Sequence, residues 1–95
     1  MKKFEDDIEV WINNNYSDAE RAKEIIQPLL ALDTEINLSR IVRCTLFLSE
    51  SDYDSLESHT NKALNDPRNV LWWAEYDNSN VQKRDFNYSF NKQKA

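Results

Sequence analysis

The run Asp66-Pro67-Arg68-Asn69-Val70-Leu71-Trp72-Trp73-Ala74-Glu75-Tyr76 is the densest stretch of buriable surface in the chain, and its reading decides the fold. Asp66 suits an N-cap, its side chain accepting from an otherwise unpaired backbone N–H. Pro67 suits the first helical position, where its missing N–H costs nothing. The pair therefore predicts a helix from Pro67. At about 100° per residue, Val70, Leu71 and Ala74 fall on one flank and Trp72, Trp73 and Tyr76 on another, leaving Asn69, Glu75 and Asp77 as the wet positions. Such a helix needs cover on more than one side. Three aromatics of roughly 150–250 Å² each make a larger patch than a soluble monomer usually exposes. Either the rest of the chain or a partner must cover them.

The remaining composition points the same way. Among 95 residues there is no glycine, the residue that supplies positive φ in tight hairpins and lets backbone approach phosphates closely. Its absence argues against a hairpin-rich fold and against glycine-loop nucleotide sites. A chain this long forms one domain with a modest core, and 40% hydrophobic with 31% charged residues is an ordinary globular balance. The expectation is an all-α, compact bundle of about five short helices with an extended C-terminal segment, residues 1–80 forming the helical domain and 81–95 a tail packed back on the last helix.

Working outward, Phe4, Ile8, Trp11 and Ile12 share a face, so Lys2 to about Asn14 reads as an amphipathic first helix, ended by Asn13-Asn14-Asn15. Val10 lies off the stripe. Ser17 with Glu20 forms a capping-box pattern opening a second helix, which Pro28 should kink or split. In Leu38 to Ser49, Leu38, Ile41, Val42, Thr45, Leu46 and Leu48 form one broad face, with Arg40, Arg43, Cys44 and Phe47 opposite. The run is rich in β-formers, and a strand is the competing reading; length and breadth of face favour a central helix. Ser51 and Asp54 suggest a further capping box, and Leu56, Thr60, Ala63 and Leu64 then share a face to about Asn65. The alternation of Phe86, Tyr88 and Phe90 with Asn87 and Ser89 is the period-2 mark of an extended segment with one apolar side. That segment is expected to fold back over Trp72, Trp73 and Tyr76; the alternative is a strand offered to a partner.

Charge is unevenly spread. Residues 1–80 hold 8 basic and 16 acidic residues, net −8, and residues 81–95 hold 4 basic and 1 acidic, net +3, which sum to the chain's −5. An acidic body disfavours nucleic acid and anionic membranes as principal partners and favours a basic protein, against the plainer reading that the charge serves solubility. No run approaches the about 20 apolar residues of a membrane span, and the N-terminus turns acidic where a signal peptide turns apolar. Together with a single cysteine, these features lead to the expectation of a cytoplasmic protein.

Ingredients for chemistry are few. One histidine, His59, and one cysteine, Cys44, cannot supply the paired ligands of a zinc motif. Glu50, Asp52, Asp54 and Glu57 resemble a cation cluster but lack the turn glycine and roughly twelve-residue spacing of a calcium loop; a helix start explains them better. Cys44 reads as an inert, partly buried thiol, although Arg40 and Arg43 could lower its pKa; with Phe47, Lys83, Arg84 and the tail aromatics those arginines are raw material for binding single-stranded nucleic acid. Pairing of those arginines with carboxylates of neighbouring helices is the favoured reading. Neither a catalytic residue, a metal site nor a cofactor is expected. The candidate interaction surface comprises Trp72, Trp73, Tyr76, Phe86, Tyr88, Phe90, Arg40, Arg43 and Phe47. The expected function is non-catalytic protein binding, in its sharper form an acidic inhibitor or immunity-type protein capping a basic partner. The alternatives are a homodimer through the aromatic helix, and a small helical enzyme or ligand-binding protein with an aromatic pocket.

Overall fold

The computed structural model describes residues 4–90. Its elements are α1 (Asp6–Asn15), α2 (Ala19–Ile26), a 3-10 turn (Gln27–Ala31), α3 (Leu38–Ser49), α4 (Tyr53–Asn65) and α5 (Pro67–Glu75). This is the expected five-helix, all-α architecture. No strand occurs among the described residues, only an isolated antiparallel bridge between Tyr76 and Gln82. The predicted start of the first helix at Lys2 and the end of the tail, residues 91–95, lie outside the described residues.

Helix α3 is the central element, packing on α1, α4, α5 and the 3-10 turn. Residues 41–46 are all buried, so the breadth of its apolar face reflects cover on nearly every side, the side of Arg43 and Cys44 included. Its two hydroxyls stay satisfied locally: Thr45 Oγ1 donates to the Ile41 carbonyl at 2.9 Å and Ser49 Oγ to the Thr45 carbonyl at 2.6 Å. Around α3, the core gathers Ile8 and Ile12 of α1, Ala22 and Ile26 of α2, Leu56 and Ala63 of α4, and Val70 and Ala74 of α5. The Cα radius of gyration, 12.3 Å, matches the about 12 Å of a close-packed chain of this length.

Three of the five helix starts, those of α2, α4 and α5, are set by aspartates, and α3 is capped by Asn37. Asp66 caps α5 as expected, accepting from the Arg68 N–H at 3.1 Å. The two serine-based boxes are each corrected by one residue: Asp18, not Ser17, caps α2, and Asp52, not Ser51, caps α4. A carboxylate accepts the orphan N–H as a hydroxyl does and adds a negative charge at the positive end of the helix dipole. Ser51 is also engaged otherwise, since with Glu50 it takes left-handed φ values of 64° and 49° to turn the chain between α3 and α4 without glycine. Pro28 ends α2 at Ile26 and the chain continues as the 3-10 turn, burying Leu29 and Leu30. Helix α1 ends on the Asn13–Asn15 run, as expected, with Asn15 its last residue and Tyr16 already extended. The Asn15 side chain donates to the Trp11 carbonyl at 2.8 Å, and Phe4 precedes the helix while still packing on the core.

Two buried hydroxyls, Tyr16 Oη and Thr60 Oγ1, have no hydrogen-bond partner among the described residues. Burial, with Asp52 and Tyr53 nearby, pushes the Tyr16 phenol up to about 12. A raised pKa contributes stability that is present below the unfolded value and lost as pH rises through the folded one. We predict that Tyr16→Phe and Thr60→Val leave stability unchanged or raise it by up to about 1 kcal/mol in urea denaturation at neutral pH, and that Tyr16→Phe blunts the loss of stability expected between pH 10 and about 12.

Candidate functional site

The nine candidate surface residues separate into two groups with different roles. The first group is internal. Arg40 and Arg43, one turn apart on α3, each meet a carboxylate from a neighbouring helix. Arg40 engages Glu75 at the end of α5 through Nε at 3.0 Å and Nη2. Arg43 engages Asp7 of α1 through Nε at 2.9 Å and Nη2 at 3.0 Å, with Glu5 at 3.2 Å. Both forks are bidentate, the geometry that best compensates a guanidinium for leaving water. The helical period puts Glu75 on the wet side of α5; it is instead fully buried, because Arg40 supplies the counter-charge that burial requires.

These charges hold the C-terminal segment. Phe86 N–H donates to Glu75 Oε2 at 2.8 Å and Phe90 N–H to Asp7 Oδ2 at 3.0 Å, while Arg43 Nη1 donates to the Phe86 carbonyl at 2.9 Å. The Glu75 carbonyl accepts from the N–H groups of Lys83 and Arg84. A segment with almost no secondary structure thus finds its backbone partners in side chains and a helix end. Phe86 is buried against Phe47 at 5.4 Å, Phe90 stacks on Trp11 at 4.2 Å, and the Arg84 guanidinium lies 4.4 Å from the Phe47 ring centre.

The period-2 reading of this stretch is corrected accordingly. Phe86 and Phe90 turn inward four residues apart across a turn, whereas Tyr88 is 60% exposed. The described tail covers Trp11, Arg43 and Phe47 and leaves Trp72 and Trp73 about half exposed, at 47% and 48%. Trp72 stacks on Tyr76 at 4.6 Å, and Lys62 of α4 sits 5.6 Å from the Trp73 ring centre. The accessible group is therefore Trp72, Trp73, the half-buried Tyr76 and Tyr88.

Beside α5, two adjoining open clefts of about 420 and 390 Å³ lie between the 33–36 loop and the α4–α5 junction. Leu32, Asp33, Ile36, Leu64, Asp66 and Pro67 are among the residues lining the first; Glu35 lines the second; Thr34, Ile36 and Arg68 line both. Neither is lined by an aromatic side chain, and neither was legible in sequence, since two segments about 30 residues apart, 32–36 and 64–68, build them.

The nucleophile and metal candidates are quiet. Burial, reinforced by Glu75, pushes the Cys44 thiol up and outweighs Arg40 and Arg43, in line with the favoured reading of an inert buried thiol. His59 Nδ1 lies 2.8 Å from the Ser55 carbonyl one turn back, the geometry of a donated hydrogen bond. Among the described residues no group of three or more His, Cys, Asp or Glu could hold a metal ion, and no helix is long and apolar enough to cross a membrane. No protein-family profile matches the chain, and neither a curated protein nor a solved structure shows significant similarity to it.

Removing Arg43 would strand Asp7 and two tail carbonyls, so Arg43→Ala is expected to cost about 3–5 kcal/mol in chemical denaturation. Burial pushes the Asp7 carboxyl up, but the Arg43 hydrogen bond, the Phe90 N–H and the Arg43 charge together hold it below the usual carboxylate range. Its contribution is present above an unfolded value of about 3.9 and is lost as pH falls through the lower folded value. Stability of Asp7→Asn should therefore fall less steeply than wild type as the solution is acidified below about pH 4.

Proposed function

We propose that the protein is a non-catalytic protein-interaction domain of the partner-capping, inhibitor or immunity type, which docks on a basic protein through the Trp72–Trp73 face of α5. The observation that carries this reading is the half-exposure of two adjacent tryptophans that the described part of the tail leaves uncovered. Tryptophan is the residue most often found at the energetic centre of interfaces. Placing two at the surface of a small domain has no folding advantage, because their area would stabilise more if buried. The net charge of −5 favours a basic partner by steering its approach.

The test compares wild type with Trp72→Ser/Trp73→Ser as bait for proteins of a lysate at low and high ionic strength. The reading predicts a captured set lost on substitution and weakened by salt. A set indifferent to the substitution removes the docking face; one indifferent to salt removes the basic partner. Sedimentation of the same samples identifies a second copy as the occupant if wild type dimerises with concentration and the double variant does not.

A further inference from the structure

We infer that the cleft between the 33–36 loop and the α4–α5 junction seats an arginine or lysine side chain of the protein that docks on Trp72 and Trp73, an inference that rests on the docking reading above. Leu32, Ile36, Leu64 and Pro67 contribute apolar lining, which suits the aliphatic stem of a long basic side chain. Carboxylates complete the site: Asp33 and Asp66 line this cleft and Glu35 the adjoining one, with Arg68 as the sole cation lining either. Three carboxylates against one guanidinium leave a local charge of −2, of the same sign as the whole chain.

Those carboxylates are open to a new partner. Among the described residues none of the three forms an ion pair, with Arg68 or with any other cation. Asp66 gives one oxygen to the Arg68 N–H as the α5 cap, and the side chains of Asp33 and Glu35 cap no helix. Position joins the cleft to the docking face: Arg68, which lines the cleft, precedes Trp72 by four residues on α5 and so shares its stripe. A partner resting on the tryptophans is thus led to the cleft. A bare cation would leave the apolar lining unused, whereas a guanidinium on its stem uses both lining types.

The experiment titrates the full chain with two synthetic amphipathic helical peptides that share one leucine stripe and differ only in carrying arginine or glutamate beside it. Ionic strength is held where the screening length is about 8 Å, so that charges near the contact decide the outcome. Methyl resonances of Ile36 and Leu64 report the cleft, and indole resonances of Trp72 and Trp73 report the face. The inference predicts that the arginine peptide shifts both sets and binds about tenfold more tightly than its glutamate twin, the order a few partly exposed ion pairs supply. Asp33→Asn/Glu35→Gln should abolish most of that preference while leaving the indole shifts in place. Equal binding of the two peptides, tighter binding of the glutamate peptide, or silent cleft methyls beneath shifting indoles would overturn the cleft assignment and leave the docking face standing. If neither peptide moves the indoles, the docking reading fails with it.

Discussion

The structure depends on the pairing of two arginines of the central helix with two carboxylates brought from opposite ends of the chain. Arg40 with Glu75 and Arg43 with Asp7 place charge where water is excluded, which is favourable only when each guanidinium and carboxylate finds further hydrogen bonds. Here the further bonds go to the C-terminal segment: carboxylates take the amides of Phe86 and Phe90, and Arg43 takes the carbonyls. Ion pairs and segment complete one another. Without the segment the carboxylates would lack the donors Phe86 N–H and Phe90 N–H, and without the pairs the segment would bury unsatisfied backbone.

This arrangement decides which aromatics are free. By covering Trp11 and Phe47, residues 84–90 commit Phe86 and Phe90 to packing and leave α5 to present Trp72 and Trp73. Helix α5 is thus half core and half surface. Val70, Leu71 and Ala74 are buried against α3 and α4 while the tryptophan flank faces solvent. A surface of that kind beside unneutralised carboxylates is the physical basis for the binding role proposed above.

Much of the fold was legible because it is periodic. Helix existence, the Pro28 break, the Asp66-Pro67 start and the buried faces of α3 and α5 all follow from spacing and from the chemistry of single residues. What failed was local choice between similar residues and the identity of partners at long range: that Arg40 and Arg43 pair with carboxylates of neighbouring helices was legible, but not that the carboxylates are Glu75 and Asp7. Serine and aspartate both cap helices, and only the folded turn shows that Ser51 has a left-handed backbone to hold. Phe86-Asn87-Tyr88-Ser89-Phe90 satisfies a strand period and, for its two end residues, a one-turn period equally well. A helix wheel places Glu75 in water because it contains no information about Arg40, 35 residues away in sequence. The surplus of aromatic surface on α5 was visible from the start; that the tail would cover a different face was not.

The most direct measurement of the central claim is native-state hydrogen exchange at the Phe86 and Phe90 amides. If the ion pairs make the C-terminal segment part of the cooperative fold, the Phe86 amide should exchange only through openings nearly as costly as those that expose α3, with Phe90 close behind. Exchange of both at the rate of a solvated turn, with α3 still protected, would show that the segment is held apart from the core and would contradict the account.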